Sequence, residues 1–185
     1  MWGCMTAAGV GPIVRAPGRM TAAVYVGILE NHLLPYIDQV VPPGEGIVFM
    51  HDNAPIHTAR VVREWFARHH RIILLDWPAR SPDVNPIENI FGFITNDWDN
   101  NAERNPQQLQ AHVEEVWQAI TPAFCANLCS SMPTRLEEII LNGDVIGFWK
   151  VARCARCFSP KLSKRDFFTV RMIFIFVCCS YALFC

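Results

Sequence analysis

Short apolar runs alternate with amphipathic segments along this chain, which is the pattern of an α/β protein. The apolar runs have the length of buried strands, whereas the amphipathic segments repeat their apolar residues at helical spacing. The predicted strands are 9–14, 46–51 and 72–75, and the predicted helices start near Thr21, Thr58 and Pro86 and then cover 106–119, 122–130 and 133–141. We therefore expect one sheet that is covered by helices.

Turn and cap residues predict where these helices begin and end. Pro86 directly after Asn85 is a strong helix start, because proline suits the first helical position. Thr58 is the predicted N-cap of the helix that follows the second apolar run. Pro35 is predicted to end the helix that starts near Thr21, since proline cannot donate a backbone hydrogen bond.

Composition supports a folded domain, because 51% of the residues are hydrophobic and only 18% are charged. The net charge of −1 lacks the basic excess that strong DNA-binding proteins carry. Any affinity for nucleic acid must therefore come from local patches or from a further module. No secretory signal opens the chain, and all cysteines except Cys4 lie at or beyond Cys125. We expect free thiols in a reducing compartment.

The chain changes character after Gly143, where a basic stretch is followed by a hydrophobic one. We therefore predict a domain at residues 1–147 and a tail at 148–185. The uncharged run 172–185 is shorter than the roughly 20 residues that cross a bilayer as a helix, so a membrane partner is not expected. The shift in composition favours a tail unrelated to the domain, from read-through or a misplaced exon boundary.

Two cysteine pairs are spaced like zinc ligands. They are Cys125 with Cys129, and Cys154 with Cys157. The gap between the pairs is longer than in most compact zinc knuckles, and no histidine accompanies them. The first pair also falls on one face of a predicted helix. We therefore do not expect a zinc site.

Two carboxylates stand beside rigid turns on different elements. Asp52 follows the apolar run 46–51, and Glu88 lies in the first turn of the helix that starts at Pro86. Carboxylate oxygens are the ligands that Mg²⁺ prefers, and this ion keeps several waters, so few protein ligands suffice. Each residue also has a structural alternative: Asp52 as a turn residue, and Glu88 as a favourable charge at a helix N-terminus.

Three polar residues nearby are candidates for supporting these acids. Asn53 and Asn85 stand in the loops that would aim Asp52 and Glu88. His57 could orient a phosphate or a metal-bound water, or it could bond a backbone carbonyl, and the sequence leaves this open. His51 precedes Asp52 on a strand and should therefore point to the opposite face of the sheet.

Several segments resemble signatures of the Tc/mariner superfamily of transposases. The strongest are Asp-Asn-Ala-Pro-Ile-His-Thr at 52–58 and Ser-Pro-Asp-Val-Asn-Pro-Ile-Glu-Asn at 81–89, with further likeness at 1–4, 9–12, 75–78 and 131–135. Because these motifs occur in the family's order, the resemblance covers residues 1 to about 147. It implies a DDE endonuclease domain with an α/β, RNase H-like fold, in which a mixed sheet is flanked by helices.

The resemblance also implies the chemistry of the site. Asp52 would be the second catalytic acid and Glu88 the third, and both would bind Mg²⁺ or Mn²⁺. The implied reaction is metal-dependent DNA cleavage and strand transfer during transposition. Transposon ends and target DNA would be the partners, a homo-oligomer is a candidate assembly, and the nucleus is the expected location.

The sequence departs from the family in its missing parts. Family members carry the first catalytic Asp on a first strand that lies at the centre of the sheet, and helix-turn-helix modules ahead of it. We therefore expect an N-terminally truncated domain that lacks its first, central strand and does not cleave DNA. The alternative is a non-catalytic transposon remnant or a domesticated interaction module. Residues 168–177 are rich enough in β-branched and aromatic residues to form a strand, which leads to the hypothesis that the tail fills the vacant central position.

Overall fold

A single five-stranded mixed sheet organises the protein, whose computed structural model describes residues 1–75, 85–97, 105–142 and 173–179. The strands are β1 (Trp2–Thr6), β2 (Gly9–Val14), β3 (Ile47–Met50), β4 (Ile72–Leu74) and β5 (Ile173–Cys179). Their order across the sheet is β2-β1-β5-β3-β4. β1 pairs antiparallel with β2 and with β5, whereas β3 pairs in parallel with β4 and with β5.

Helices cover both faces of this sheet, which confirms the predicted α/β architecture. They are α1 (Ala22–Ile28), α2 (Leu34–Val40), α3 (Arg60–Arg68), α4 (Pro86–Asp97), α5 (Pro106–Ala119), α6 (Pro122–Ser130) and α7 (Met132–Asn142). One apolar cluster joins α1, α2 and α3 to the sheet, and a second cluster joins α4, α5, α6 and α7 to its other face. Among the described residues, no helix is both long enough and apolar enough to cross a bilayer.

The central position of the sheet is occupied by β5, the strand from the predicted tail. Register pairs Cys4 with Val177 on one side and Met50 with Phe176 on the other. The side chains of Ile175 and Val177 are fully buried in the cluster that includes α1 and α3. The hypothesis that residues 168–177 fill the central position is therefore confirmed for residues 173–177, and β5 continues to Cys179. The rest of the predicted tail lies outside the described residues, and the domain boundary at 147 stays a prediction.

Two glycines allow close packing on the hairpin of β1 and β2, Gly3 against Trp117 of α5 and Gly11 against Cys4 and Tyr36 of α2. A Cβ at Gly3 would come 2.8 Å from the Trp117 ring, and a Cβ at Gly11 would come 2.6 Å from the Cys4 sulfur. The Gly11 carbonyl accepts a hydrogen bond of 2.9 Å from the Trp117 indole. The absence of a side chain at Gly3 therefore lets the Trp117 ring of α5 lie directly on β1.

The predicted helix starts at Thr21 and Pro86 are correct, whereas the predicted N-cap at Thr58 is wrong. Thr21 caps α1, accepting a bond from the Val24 amide at 3.2 Å, and α4 begins at Pro86. Thr58 is not the N-cap of α3, because that position belongs to Ala59, which makes no side-chain cap.

Pro35 does not end the helix that begins after Thr21. A π-helical turn over Leu29–Leu33 connects α1 to α2, and Pro35 stands within the first two positions of α2. The first residues of a helix need no backbone donor, so proline is accommodated there.

Candidate active site

At the end of β3, the neighbouring side chains of Phe49 and Met50 point to opposite faces of the sheet. Met50 packs in the cluster that contains α4, and Phe49 packs in the cluster that contains α1. The Tyr25 hydroxyl on α1 lies 2.9 Å from His51 Nδ1, so His51 is on the α1 side. Asp52 follows beyond the end of the strand, and 55% of its side chain is exposed.

Two donors hold one oxygen of the Asp52 carboxylate. The backbone N–H of Ala54 donates to Oδ1 at 3.0 Å, and His57 Nδ1 lies 2.5 Å from the same oxygen. His57 Nδ1 is also 3.2 Å from the Asp52 carbonyl oxygen. Of the two alternatives that the sequence left open for His57, the contact with a backbone carbonyl is present, and that carbonyl belongs to Asp52. A role in orienting a phosphate or a metal-bound water stays a prediction.

The protonation of this loop follows from its burial and its hydrogen bonds. Partial burial works against ionisation of Asp52, but the hydrogen bonds from His57 and Ala54, with the nearby imidazoles, outweigh it and lower the pKa of the carboxyl. Burial, reinforced by His57 and opposed by Asp52, lowers the pKa of His51 to about 3. At neutral pH the loop therefore presents an ionised carboxylate above a neutral His51.

The first turn of α4 places Glu88 at the same end of the sheet. Asn85 Nδ2 donates to the Val177 carbonyl at 3.2 Å, and the Glu88 amide donates to the Asn85 carbonyl at 3.0 Å. Val177 stands one residue beyond the Met50–Phe176 pair, where β3 also leaves the sheet. Asp52 and the half-buried Glu88 therefore lie on elements that meet at the carboxyl ends of β3 and β5.

The remaining predicted supporting residues differ in their surroundings. Asn85 is buried, and its Oδ1 has no hydrogen-bond partner within the described residues. A buried acceptor without a donor is expected to bind a water molecule or a cation. Asn53 is exposed immediately after Asp52. Asn85 therefore contributes a side-chain oxygen that could still accept a hydrogen bond, whereas Asn53 lies on the surface beside Asp52.

The donor set fits a hard divalent cation as a partial site. Among the described residues no group of three or more His, Cys, Asp or Glu side chains is placed to hold a metal ion. Asp52 and Glu88 supply two carboxylates, and the orphaned Asn85 oxygen is a third oxygen atom at the same end of the sheet. β5, between β1 and β3, contains no acidic residue. The residues present therefore fit Mg²⁺ or Mn²⁺ as two ligands, with waters completing the coordination.

Burial favours the protonated thiol form of the cysteine pair on α6. Burial raises the pKa of the Cys129 thiol to about 11 and also raises that of Cys125, which disfavours the thiolate that zinc requires. Cys154 and Cys157 lie outside the described residues.

Sequence reasoning missed the contribution of Tyr25 to the loop after β3. Its ring centroid is 4.4 Å from that of His57, and its hydroxyl binds His51. In the sequence Tyr25 belongs to an apolar helical stripe, which gives no sign of a polar partner on a distant loop.

Comparisons with known proteins agree with this fold. The model of the DDE superfamily endonuclease family matches residues 1–110. The Tcb2 transposase of Caenorhabditis briggsae is 36% identical over 148 residues, which are 80% of this chain and 52% of the relative. The Tc1 transposase of Caenorhabditis elegans is 37% identical over 140 residues, 76% of this chain and 50% of the relative. The chain thus spans about half the length of these curated relatives.

Solved structures of Mos1 transposase share the RNase H-like fold. Its catalytic domain with raltegravir and Mg gives a TM-score of 0.65 at 23% identity, covering 75% of this chain and 73% of that one. A related structure of that domain contains Mn. The Mos1 paired-end complex with the left transposon end gives a TM-score of 0.61 at 24% identity, covering 75% of this chain and 42% of that one.

Proposed function

The chain belongs to the DDE superfamily endonuclease family, in its Tc/mariner transposase branch, and from this premise we propose that Asp52 and Glu88 bind the divalent cation of a DNA-cleaving domain. The observation that carries the proposal is the exposed Asp52 carboxylate, ionised and held after the end of β3, at the same end of the sheet where Asn85 ties the start of α4 to β5. Active sites of α/β sheets gather at such carboxyl ends.

Each residue of the proposed site has a distinct task. Asp52 offers a fixed carboxylate, and Glu88 adds a second negative charge at the positive end of the α4 dipole. Asn85 ties α4 to β5 through its amide nitrogen and keeps its oxygen for a water molecule at the site. Bound Mg²⁺ or Mn²⁺ would supply the Lewis acidity that phosphodiester cleavage and strand transfer require.

The central strand β5 does not supply a third acidic residue to the proposed site. A two-metal site for phosphodiester cleavage needs carboxylates that hold both ions about 4 Å apart. β5 contributes no carboxylate between Asp52 and β1. We therefore propose that the chain binds the cation through two acids and does not cleave DNA efficiently without a further acid.

The proposed partners are transposon ends and target DNA, supported by the named contents of the Mos1 paired-end complex. Pairing of two ends favours a homo-oligomeric assembly. A DNA substrate of this kind places the protein in the nucleus. Imaging a fluorescent fusion of the chain tests that location, and exclusion of the fusion from nuclei would contradict it.

Cation binding by the purified chain tests the proposed site. Asp52→Asn and Glu88→Gln remove one charge each while keeping the shape of the side chain. We expect each substitution to weaken Mn²⁺ binding, measured by calorimetry and by electron paramagnetic resonance, by at least about tenfold. Glu30→Gln, at an exposed acid on the π-helical turn, is the matched control and should leave the affinity unchanged.

Nicking of supercoiled plasmid DNA in Mg²⁺ or Mn²⁺ tests the proposal that the chain does not cleave DNA efficiently without a further acid. We expect no nicking by the wild-type chain above the level of Asp52→Asn. Clear Asp52-dependent nicking would show that two acids suffice. Unchanged Mn²⁺ affinity in both Asp52→Asn and Glu88→Gln would instead remove the proposed cation site.

A further inference from the structure

We propose that His57 is a positioning residue that fixes Oδ1 of Asp52 and thereby presents Oδ2 as the single oxygen that binds a divalent cation. The inference rests on the proposed function, because it concerns how Asp52 meets the ion. It assigns a task to a buried histidine whose Nδ1 contacts both the carboxylate and the backbone carbonyl of Asp52.

The direction of the His57–Asp52 hydrogen bond follows from the chemistry of its partners. An ionised carboxylate and a backbone carbonyl only accept hydrogen bonds. The carboxylate oxygen Oδ1 and the backbone carbonyl oxygen of Asp52 both contact the same imidazole nitrogen of His57, Nδ1. Nδ1 therefore carries the proton and donates. One N–H thus bridges the backbone and the side chain of Asp52, which restricts rotation of the carboxylate.

The His57 ring is itself held by contacts with the rings of His51 and Tyr25. It is only 1% exposed, and it stacks on His51 with ring centroids 4.8 Å apart and planes 7° from parallel. His51 is in turn held by the Tyr25 hydroxyl at 2.9 Å, and the Tyr25 ring lies 4.4 Å from His57. A chain of contacts thus connects α1 to Asp52. Such support keeps a metal ligand in its binding orientation before the ion arrives.

The two oxygens of Asp52 are consequently unequal. Oδ1 takes donors from Ala54 and His57, whereas Oδ2 has no hydrogen bond to any residue in the described ranges. A cation that approaches Oδ1 would compete with two N–H groups, whereas at Oδ2 it would meet no such competitor among the described residues. The geometry therefore favours one-oxygen coordination by Asp52.

Two substitutions of matched shape test the role of His57 in the full chain. His57→Asn places an amide N–H near the position of Nδ1, whereas His57→Leu has a similar outline without a donor. We expect His57→Leu to weaken Mn²⁺ binding about 10- to 100-fold and His57→Asn to keep most of the affinity. His69→Leu is the control, because its Nδ1 contacts the Trp65 carbonyl on α3 instead. Thermal melting of every variant separates loss of the ligand's orientation from loss of the fold.

The outcomes separate this inference from the proposed function. If Asp52→Asn weakens Mn²⁺ binding but His57→Leu and His57→Asn bind equally well, His57 does not position the ligand and the inference is overturned. If Asp52→Asn has no effect, the cation site itself is wrong. Should His57→Leu fail to fold, His57→Phe replaces it, since a ring at that position preserves the stack on His51 and still lacks a donor.

Discussion

At the scale of single residues, the loop after β3 combines a carboxylate that is easily ionised with a histidine that resists protonation. The sequence could predict Asp52 and Glu88 because their residue types, turns and motifs are local properties. It could not decide what His57 contacts, because the orientation of that ring depends on Tyr25 and His51, which approach it only in the folded chain. The type of each site residue was therefore predictable, and its hydrogen bonds were not.

The buried His51 predicts a loss of stability in mild acid. In the unfolded chain His51 takes up a proton near its ordinary pKa of 6.5, whereas in the folded protein it does so only near pH 3. Between these values the unfolded state binds more protons, so the free energy of unfolding falls as the pH falls. We expect a loss of a few kcal/mol between pH 7 and pH 4, measured by urea unfolding with EDTA present.

His51→Gln isolates this effect, because an amide can still bind the Tyr25 hydroxyl but does not titrate. The variant should show a flatter dependence of stability on pH than the wild type, whereas His70→Gln, at an exposed position, should not. Asp52 contributes little to this window. Its pKa is lowered in the folded state, so its stabilisation is present above the unfolded value of 3.8 and is lost only as the pH falls below it. Equal slopes for His51→Gln and the wild type would contradict the assignment.

At the scale of elements, N-cap residues followed by proline predicted where helices start, whereas Pro35 did not predict where a helix ends. Asn105 and Thr121 cap α5 and α6 through their own side chains, each with a proline directly after it. Such caps involve residues that are neighbours in sequence. Pro35 misled the prediction because the π-helical turn before it, stabilised by the burial of Leu29 and Leu33, depends on tertiary packing.

Arg71 connects three backbone carbonyls between α2 and β4, which predicts a large effect of a conservative substitution. Its Nη2 donates to Val41 and Pro42 at 2.9 and 2.7 Å, and its Nε donates to Glu45 at 3.2 Å. A lysine has one ammonium group and cannot reach all three acceptors. Arg71→Lys should lower the free energy of unfolding by about 1–3 kcal/mol in urea, whereas Arg63→Lys, exposed on α3, should change it by less than about 0.5 kcal/mol.

At the scale of the whole molecule, the fold was predictable from motif order, but the source of its central strand was only a hypothesis. The composition of residues 168–177 indicated a strand, whereas the change of composition after Gly143 favoured an unrelated tail. Composition cannot reveal which strands a segment will join when its partners, β1 and β3, lie more than a hundred residues earlier. The physical reason for the outcome is the row of unpaired backbone groups that β1 and β3 would otherwise present to each other.

The position of β5 predicts that the tail is part of the folding unit. Val177 is fully buried among the residues of the α1–α3 cluster, pairs with Cys4 and accepts the Asn85 amide through its carbonyl. Val177→Asp would bury a charge without a partner at the centre of the sheet, so we expect it to lower the free energy of unfolding by at least about 3 kcal/mol. Val61→Asp makes the same chemical change on the exposed face of α3 and should have little effect.

Urea unfolding monitored by tryptophan fluorescence compares the two variants, because Trp2 and Trp65 report on the cluster that receives β5. Amide hydrogen exchange gives a second readout: residues 174–176 should be protected in the wild type as strongly as Val48 and Phe49, since both sets lie in the ladder between β3 and β5. A tail that merely accompanies the domain would give equal stabilities for Val177→Asp and Val61→Asp, together with fast exchange throughout β5. Loss of stability in Val177→Asp alone would instead mean that β5 is an integral strand of the sheet that ends at Asp52, because it joins β1 to β3.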